Sequence, residues 1–163
     1  MARKTFNEKL NDSKDMPKIV LCNDAKTLER YGGNKMLIAS PLEYDAIMRQ
    51  IPEGFVITTD KIREYLTNRH QADFTCQLTS GIFISLAAHA SDERDSDKTP
   101  YWRTLKINGE LNEKYPGGIE RQKENLEHEG HIIIQKGKRY FVKDYVCSLF
   151  QLMDMEAVTI RNG

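Results

Sequence analysis

Residues 99–103 read Thr-Pro-Tyr-Trp-Arg, two adjacent aromatics held between a proline and a cation, and they are the most chemically suggestive run in the chain. Tyr101 is a poor nucleophile, because a phenol with a pKa of about 10 is almost wholly protonated near neutrality. The pair Tyr101-Trp102 therefore reads either as the wall of a binding pocket or as aromatics that cover a core edge. Cys22, Cys76 and Cys147 are odd in number and widely separated, with no pair at the spacing of a zinc knuckle or redox motif, and are expected to be reduced and buried. Cys76 has no basic neighbour in sequence to lower its pKa, which favours a structural role over a nucleophilic one. His128-Glu129-Gly130-His131 lacks the four-residue histidine spacing of a zinc protease helix, and Gly130 should end the helix between the two histidines, so no metal is expected there. His70 and His89 have no ligand-spaced partner. Nothing in the chain calls for a cofactor.

Basic and acidic residues number 24 each, which excludes a protein that holds nucleic acid by bulk charge alone. Any anionic partner must be met by a local patch. One candidate is the segment 131–145, where Lys136, Lys138, Arg139 and Lys143 face only Asp144, although a solvated hairpin would carry the same charges. No apolar run approaches the roughly 18 residues of a bilayer span, and the polar start of the chain lacks a signal-like stretch, so the expectation is a cytoplasmic protein, monomeric by default, with no membrane partner.

The elements that must position these groups follow from periodicity and turn chemistry. Residues 1–40 read as an N-terminal extension, with an amphipathic stretch around Phe6 and Leu10, a strand-like run at 19–22 and a break at Gly32-Gly33. Pro41 opens a helix with Leu42, Ala46, Ile47 and Ile51 at helical spacing, ended by Pro52 and Gly54. A short strand at 55–57 leads to a helix capped by Thr58 or Thr59 and buried through Ile62, Tyr65 and Leu66. The run 80–90 is nearly all apolar and reads as a buried helix with Ser85 and His89 on one open face. A charged loop at 92–98 comes next, then turns at Asn108-Gly109 and 115–118, a helix from Ile119 through Leu126 stopped at Gly130, and a hairpin from 132–134 to 140–142. The fold expected is α+β, mainly helical, a winged helix-turn-helix with a C-terminal β-hairpin wing over 41–152, followed by a tail at 153–163.

Three ordered motifs within residues 41–131 point to a family. Ile51-Pro52-Glu53-Gly54-Phe55-Val56 with Thr58-Thr59 and Ile62, Pro100-Tyr101-Trp102-Arg103, and Gly109-Glu110-Leu111 through Gly117-Gly118 to Leu126-Glu127-His128-Glu129-Gly130 together resemble the DNA-binding domain of the alkylguanine-DNA alkyltransferases. The resemblance implies a winged-helix protein that docks in the minor groove of double-stranded DNA and turns a damaged guanine out of the stack. In that family a cysteine takes the alkyl group, helped by a histidine and an orienting glutamate. Here Tyr101 and Trp102 stand at the cysteine and histidine positions, and Glu129 keeps the glutamate position with no partner left to orient. Since only a thiolate is a competent acceptor, direct alkyl transfer is not expected.

The chain is more similar to the non-catalytic alkyltransferase-like proteins, which bind alkylated DNA and mark it for repair proteins. In that reading Tyr101 would wall a pocket for a flipped base. Thr59 falls where the family has a tyrosine against the DNA backbone, and Ser85 falls near the arginine that fills the gap left by the base. The residues implied at the DNA face are Thr59, Ser85, His89, Tyr101, Trp102, Arg103 and Glu129, with Lys106, Lys136, Lys138 and Arg139 as phosphate contacts. Two other readings stand beside this one. The first is a module of the same fold that binds a protein through an exposed Tyr101-Trp102 pair or the N-terminal segment. The second is an enzyme with Cys76 as nucleophile.

Overall fold

A computed structural model describes residues 3–152, so the tail at 153–163 lies outside the described residues. The first 40 residues form elements of their own. Helix α1, Phe6–Asn11, starts on a capping box in which Thr5 and Glu8 satisfy each other's backbone N–H groups. Strand β1, Lys18–Leu21, pairs antiparallel with β2, Lys35–Ile38. Helix α2, Ala25–Tyr31, bridges them and ends at Gly32, whose φ of 71° is the left-handed value that glycine takes at a helix end.

Helix α3, Pro41–Arg49, begins as the sequence predicts, with Pro41 in the first turn and the Glu43 carboxylate accepting the Ser40 N–H at 3.1 Å. Strand β3, Ile57–Thr58, runs straight into helix α4, Thr59–Arg69; Thr58 takes the N-cap position, but its hydroxyl makes no capping bond. Strand β4, Phe74–Thr75, adds parallel to β2, so the first sheet has the order β1-β2-β4 and ties the N-terminal segment to the chain beyond α4. Helix α5, Gln77–Glu93, is the long apolar helix read from 80–90. It packs against α1, α3 and α4.

A 3-10 turn at Tyr101–Arg103 leads into β5, Thr104–Leu105, which pairs parallel with β3. A second turn, Ile107–Gly109, precedes helix α6, Gly118–His128. Gly130, with φ of 95°, ends that helix as expected, and the His131 N–H returns to the Leu126 carbonyl at 3.1 Å. Strands β6, Ile133–Lys136, and β7, Arg139–Val142, form the C-terminal hairpin. The described residues thus make a mixed α+β fold of six α-helices and three small sheets.

Two apolar clusters hold it. The larger gathers Leu10, Tyr44, Met48, Ile51, Ile62, Leu66, Ile84 and Tyr101; the smaller joins Val56, Leu105, Leu111, Leu126 and Val142. Trp102 packs against both. The expected core positions Ile51, Val56, Ile62 and Leu126 are fully buried. Leu86 is only half-buried, because the inner face of α5 runs through Ser80, Ile84, Ala87, Ala88 and Ser91. The cysteines are less enclosed than expected, with Cys22 and Cys76 half-buried and Cys147 exposed.

Candidate nucleic-acid interface

The three motifs of the sequence converge on one carboxylate. Glu129 follows the last residue of α6 and its side chain is 5% exposed. It accepts from the Trp102 indole N–H at 2.9 Å, from Arg103 Nη2 at 2.7 Å and Nε at 3.0 and 3.1 Å, and from the Gly54 N–H at 3.3 Å. Arg103 spends its remaining arm on the Ile51 carbonyl at 2.7 Å, and its guanidinium lies 5.3 Å from the Trp102 ring centre. Burial alone would raise the Glu129 pKa, but the hydrogen bonds from Arg103, Trp102 and Gly54 outweigh it and hold the carboxyl below its ordinary range. The expectation of an unpartnered Glu129 is therefore corrected. The Trp102 indole supplies one of its donors, and the clasp joins the loop after α3, the Tyr101–Arg103 turn and the end of α6.

Tyr101 is enclosed, not displayed. It is 3% exposed, stands edge-on to Trp102 and Tyr115 at ring distances of 5.5 and 5.3 Å, and donates its hydroxyl to the Pro116 carbonyl at 3.3 Å. Burial pushes its pKa up, which makes the phenol a still weaker nucleophile. Neither an open pocket wall at Tyr101 nor an exposed Tyr101-Trp102 docking pair exists in this structure. The buried Gln122 fixes the same turn from α6, donating to the Trp102 carbonyl at 3.2 Å and accepting the Asn112 N–H at 2.7 Å.

The accessible concavity lies elsewhere, between the start of α4, the first half of α5 and the Ile107–Gly109 turn. This cleft of about 430 Å³ is lined by Thr59 and Arg63 of α4, Gln77 and Gly81 of α5, Lys106, Asn108, Lys114 and the hairpin's Arg139. Two further grooves adjoin it through Arg139, one holding Lys106 and Lys138, the other Lys136 and Lys143 with Phe141 and Tyr145. The three together carry Arg63, Lys106, Lys114, Lys136, Lys138, Arg139 and Lys143 against Glu110, Glu113 and Asp144. Glu110 is already neutralised by Arg139 at 2.7 Å, whose hydrogen bond holds its carboxyl below the ordinary range. A chain with no net charge so gathers a basic face.

Of the expected site residues, Thr59, Lys106, Lys136, Lys138 and Arg139 share that face. Trp102, Arg103 and Glu129 form the clasp behind it, and Tyr101 is in the core. Ser85 is half-buried on α5. His89 is taken: its ring stacks on Phe6 at 4.9 Å and its Nε2 lies 2.8 Å from the Lys114 carbonyl. Arg63 and Lys114 escape the sequence reading because isolated cations on a helix and a loop carry no local signal of their joint placement.

The acidic run at the C-terminal end of α5 and just beyond it is engaged elsewhere. Glu93 accepts the N–H groups of Phe6 and Asn7 at 2.9 and 3.0 Å and so caps α1, while Asp92 pairs with Arg121 at 3.0 Å and Asp97 with Arg49. At 1.5 Å per residue, Glu93 lies roughly 24 Å along α5 from Gln77.

Six helices with three small sheets, a basic face at the start of α5 and a hairpin after α6 define a class of compact α+β domain with one surface suited to an anion. No protein-family model matches the chain, and no curated protein matches it. Among solved structures, that of S. pombe ATL in complex with DNA shares the fold, with a TM-score of 0.50 and 18% identity over 68% of this chain and 94% of that one. A structure of S. pombe Atl1 in complex with damaged DNA containing O6-carboxymethylguanine gives a TM-score of 0.49 at 18% identity over the same shares. The fold resemblance read from the motifs is thus met in a solved structure.

Proposed function

We propose that this chain is a non-enzymatic, alkyltransferase-like protein that binds double-stranded DNA through its winged-helix region and recognises alkylated guanine for repair proteins to act on. The basic face around the 430 Å³ cleft is the observation that carries this reading. Phosphate contacts need only hydrogen-bond donors and positive charge, and Arg63, Lys114, Lys136 and Lys138 provide both, while Lys106 and Arg139 share theirs with Glu110. Thr59 and Gln77 at the cleft supply neutral hydrogen-bonding groups, and the cleft has the size of a small-ligand site, so a displaced base would enter here and not at Tyr101. A solved structure of similar fold holds DNA, which supports the same assignment.

The absence of alkyl transfer follows from the acceptor position. Tyr101 is buried, its hydroxyl is engaged and its pKa is raised. The clasp at Trp102, Arg103 and Glu129 then has a positioning role, holding against α6 the Tyr101–Arg103 turn from which β5 leads to Lys106. Titration of a duplex bearing one O6-alkylguanine beside its unmodified twin, at two salt concentrations, tests the proposal. Tighter binding to the modified duplex is expected, with both affinities falling as salt rises. Equal affinity for the two duplexes would remove the damage recognition, and no binding to either would remove the DNA reading.

A further inference from the structure

The sheet β1-β2-β4 ends on an edge that the described residues leave open, because β1 has β2 alone beside it. The Cys22 N–H donates to the Asn34 carbonyl at 2.8 Å, and along an antiparallel ladder the direction of the backbone groups alternates. Lys18 and Val20 therefore turn theirs toward β2 as well, while Ile19 and Leu21 turn N–H and C=O outward, where no described residue meets them. The side chains of the same two residues share one face. Ile19 stands opposite Leu37, a core residue 1% exposed, yet Ile19 itself is 43% exposed and Leu21 61%. The apolar surface of the core thus runs past Leu37 and off the sheet edge uncovered. Helix α2 does not close it, since none of its residues is buried.

Proteins usually blunt such an edge with a charge or a proline, because free backbone groups invite another strand. Here Pro17 and Lys18 stand at the start, and Ile19-Val20-Leu21 has no guard. This run is complementary to itself in the antiparallel sense. With Val20 on a two-fold axis, Ile19 of one copy lies opposite Leu21 of the other, so the outward backbone groups exchange hydrogen bonds and the exposed apolar side chains join in one cluster. The same pairing brings Lys18, which opens β1, toward the end of the facing strand, where Asp24 follows; both side chains are exposed. Sliding the pairing one way would set Pro17, which lacks an N–H, opposite Leu21, and sliding it the other way would set Ile19 against Asn23. Backbone, apolar and charged groups therefore agree on one register, and a second copy supplies all three by symmetry.

We infer that β1 is a dimerisation edge, at which two copies of this chain pair antiparallel through Ile19-Val20-Leu21 to make one sheet in the order β4-β2-β1-β1-β2-β4. The surface belongs to the first 40 residues, outside the three motifs, and it stands whether or not the chain binds DNA.

The test is sedimentation velocity of the full chain from about 1 to about 500 µM, the range in which a small interface associates. The wild type should pass from monomer to dimer. Leu21→Lys keeps the monomer fold, since the side chain is largely exposed, and should weaken association about tenfold or more by removing one apolar contact from each copy. A second variant reads the register. In a background of Cys22→Ser and Cys147→Ser, Val20→Cys places two thiols across the axis at a Cα separation of roughly 4.5 Å, within disulfide reach. Under mild oxidation it should link at least about tenfold faster than Leu78→Cys, an exposed control on α5, because pairing raises the local thiol concentration. A wild type that stays monomeric throughout overturns the proposal. So does association that survives Leu21→Lys unchanged, or Val20→Cys linking no faster than the control. A monomeric wild type whose truncation after residue 152 does dimerise would give the edge to residues 153–163, and overturns it as well.

Discussion

Glu129 anchors a clasp between three separate stretches of the chain. Its carboxylate holds Trp102, Arg103 and Gly54, so truncation would strand a buried cation. Glu129→Ala is expected to lower stability by about 3 kcal/mol or more in urea unfolding near neutral pH. The Glu129 pKa is lower folded than its ordinary value. Its contribution is therefore complete above the ordinary carboxylate pKa and is lost as pH falls through the depressed folded value. Glu129→Gln should accordingly flatten the acid side of the stability profile, and a profile unchanged from wild type would refute the clasp. At the acceptor position, Tyr101→Cys should cost about 3 kcal/mol through the lost ring, in line with other buried aromatic truncations. It should also leave the protein mass unchanged after incubation with an alkylguanine duplex, because a thiol enclosed in apolar surroundings resists ionisation. A mass gain of one alkyl group would show that sulfur at this position suffices for transfer. The sequence made the aromatic pair Tyr101-Trp102 legible but not its bonds, because a motif position names a residue type and not the partner it will find.

Among the elements, periodicity located α3, α4, α6 and the hairpin within a residue or two, since each has an apolar seam or a sharp terminator. It did not single out the inner face of α5, because a nearly continuous apolar run has no periodic contrast to expose its buried side. It also left the first 40 residues unplaced. The amphipathic Phe6 and Leu10 were visible, but their partner, the far end of α5, is more than 80 positions away. That segment is tied in by the Leu10 side chain, 2% exposed, and by the Glu93 cap on α1. Leu10→Ala is expected to cost about 2–5 kcal/mol in denaturant unfolding, the range of a leucine removed from a packed core. A change near zero would mean that α1 is only laid on the surface.

For the molecule as a whole, charge segregation is the decisive property. Equal numbers of acids and bases predicted a local patch or none, and the fold supplies the patch by bringing Arg63, Lys106, Lys114 and the hairpin cations together from four separate stretches of chain. It also sends the acidic run to the other end of α5, where Glu93, Asp92 and Asp97 serve as a cap and ion-pair partners. Lys136 and Lys138 stand exposed at the tip of the hairpin, so their removal should weaken DNA binding without disturbing the fold. The most direct test is an anisotropy titration of a duplex across a salt series, with the wild type and the variant Lys136→Ala with Lys138→Ala. The wild type should bind at low salt with log K falling linearly in log salt, and the variant's slope should be smaller by about 2, one for each phosphate that a lysine no longer neutralises. No binding at low salt, or a variant slope equal to that of the wild type, would contradict the basic face as the DNA-binding surface.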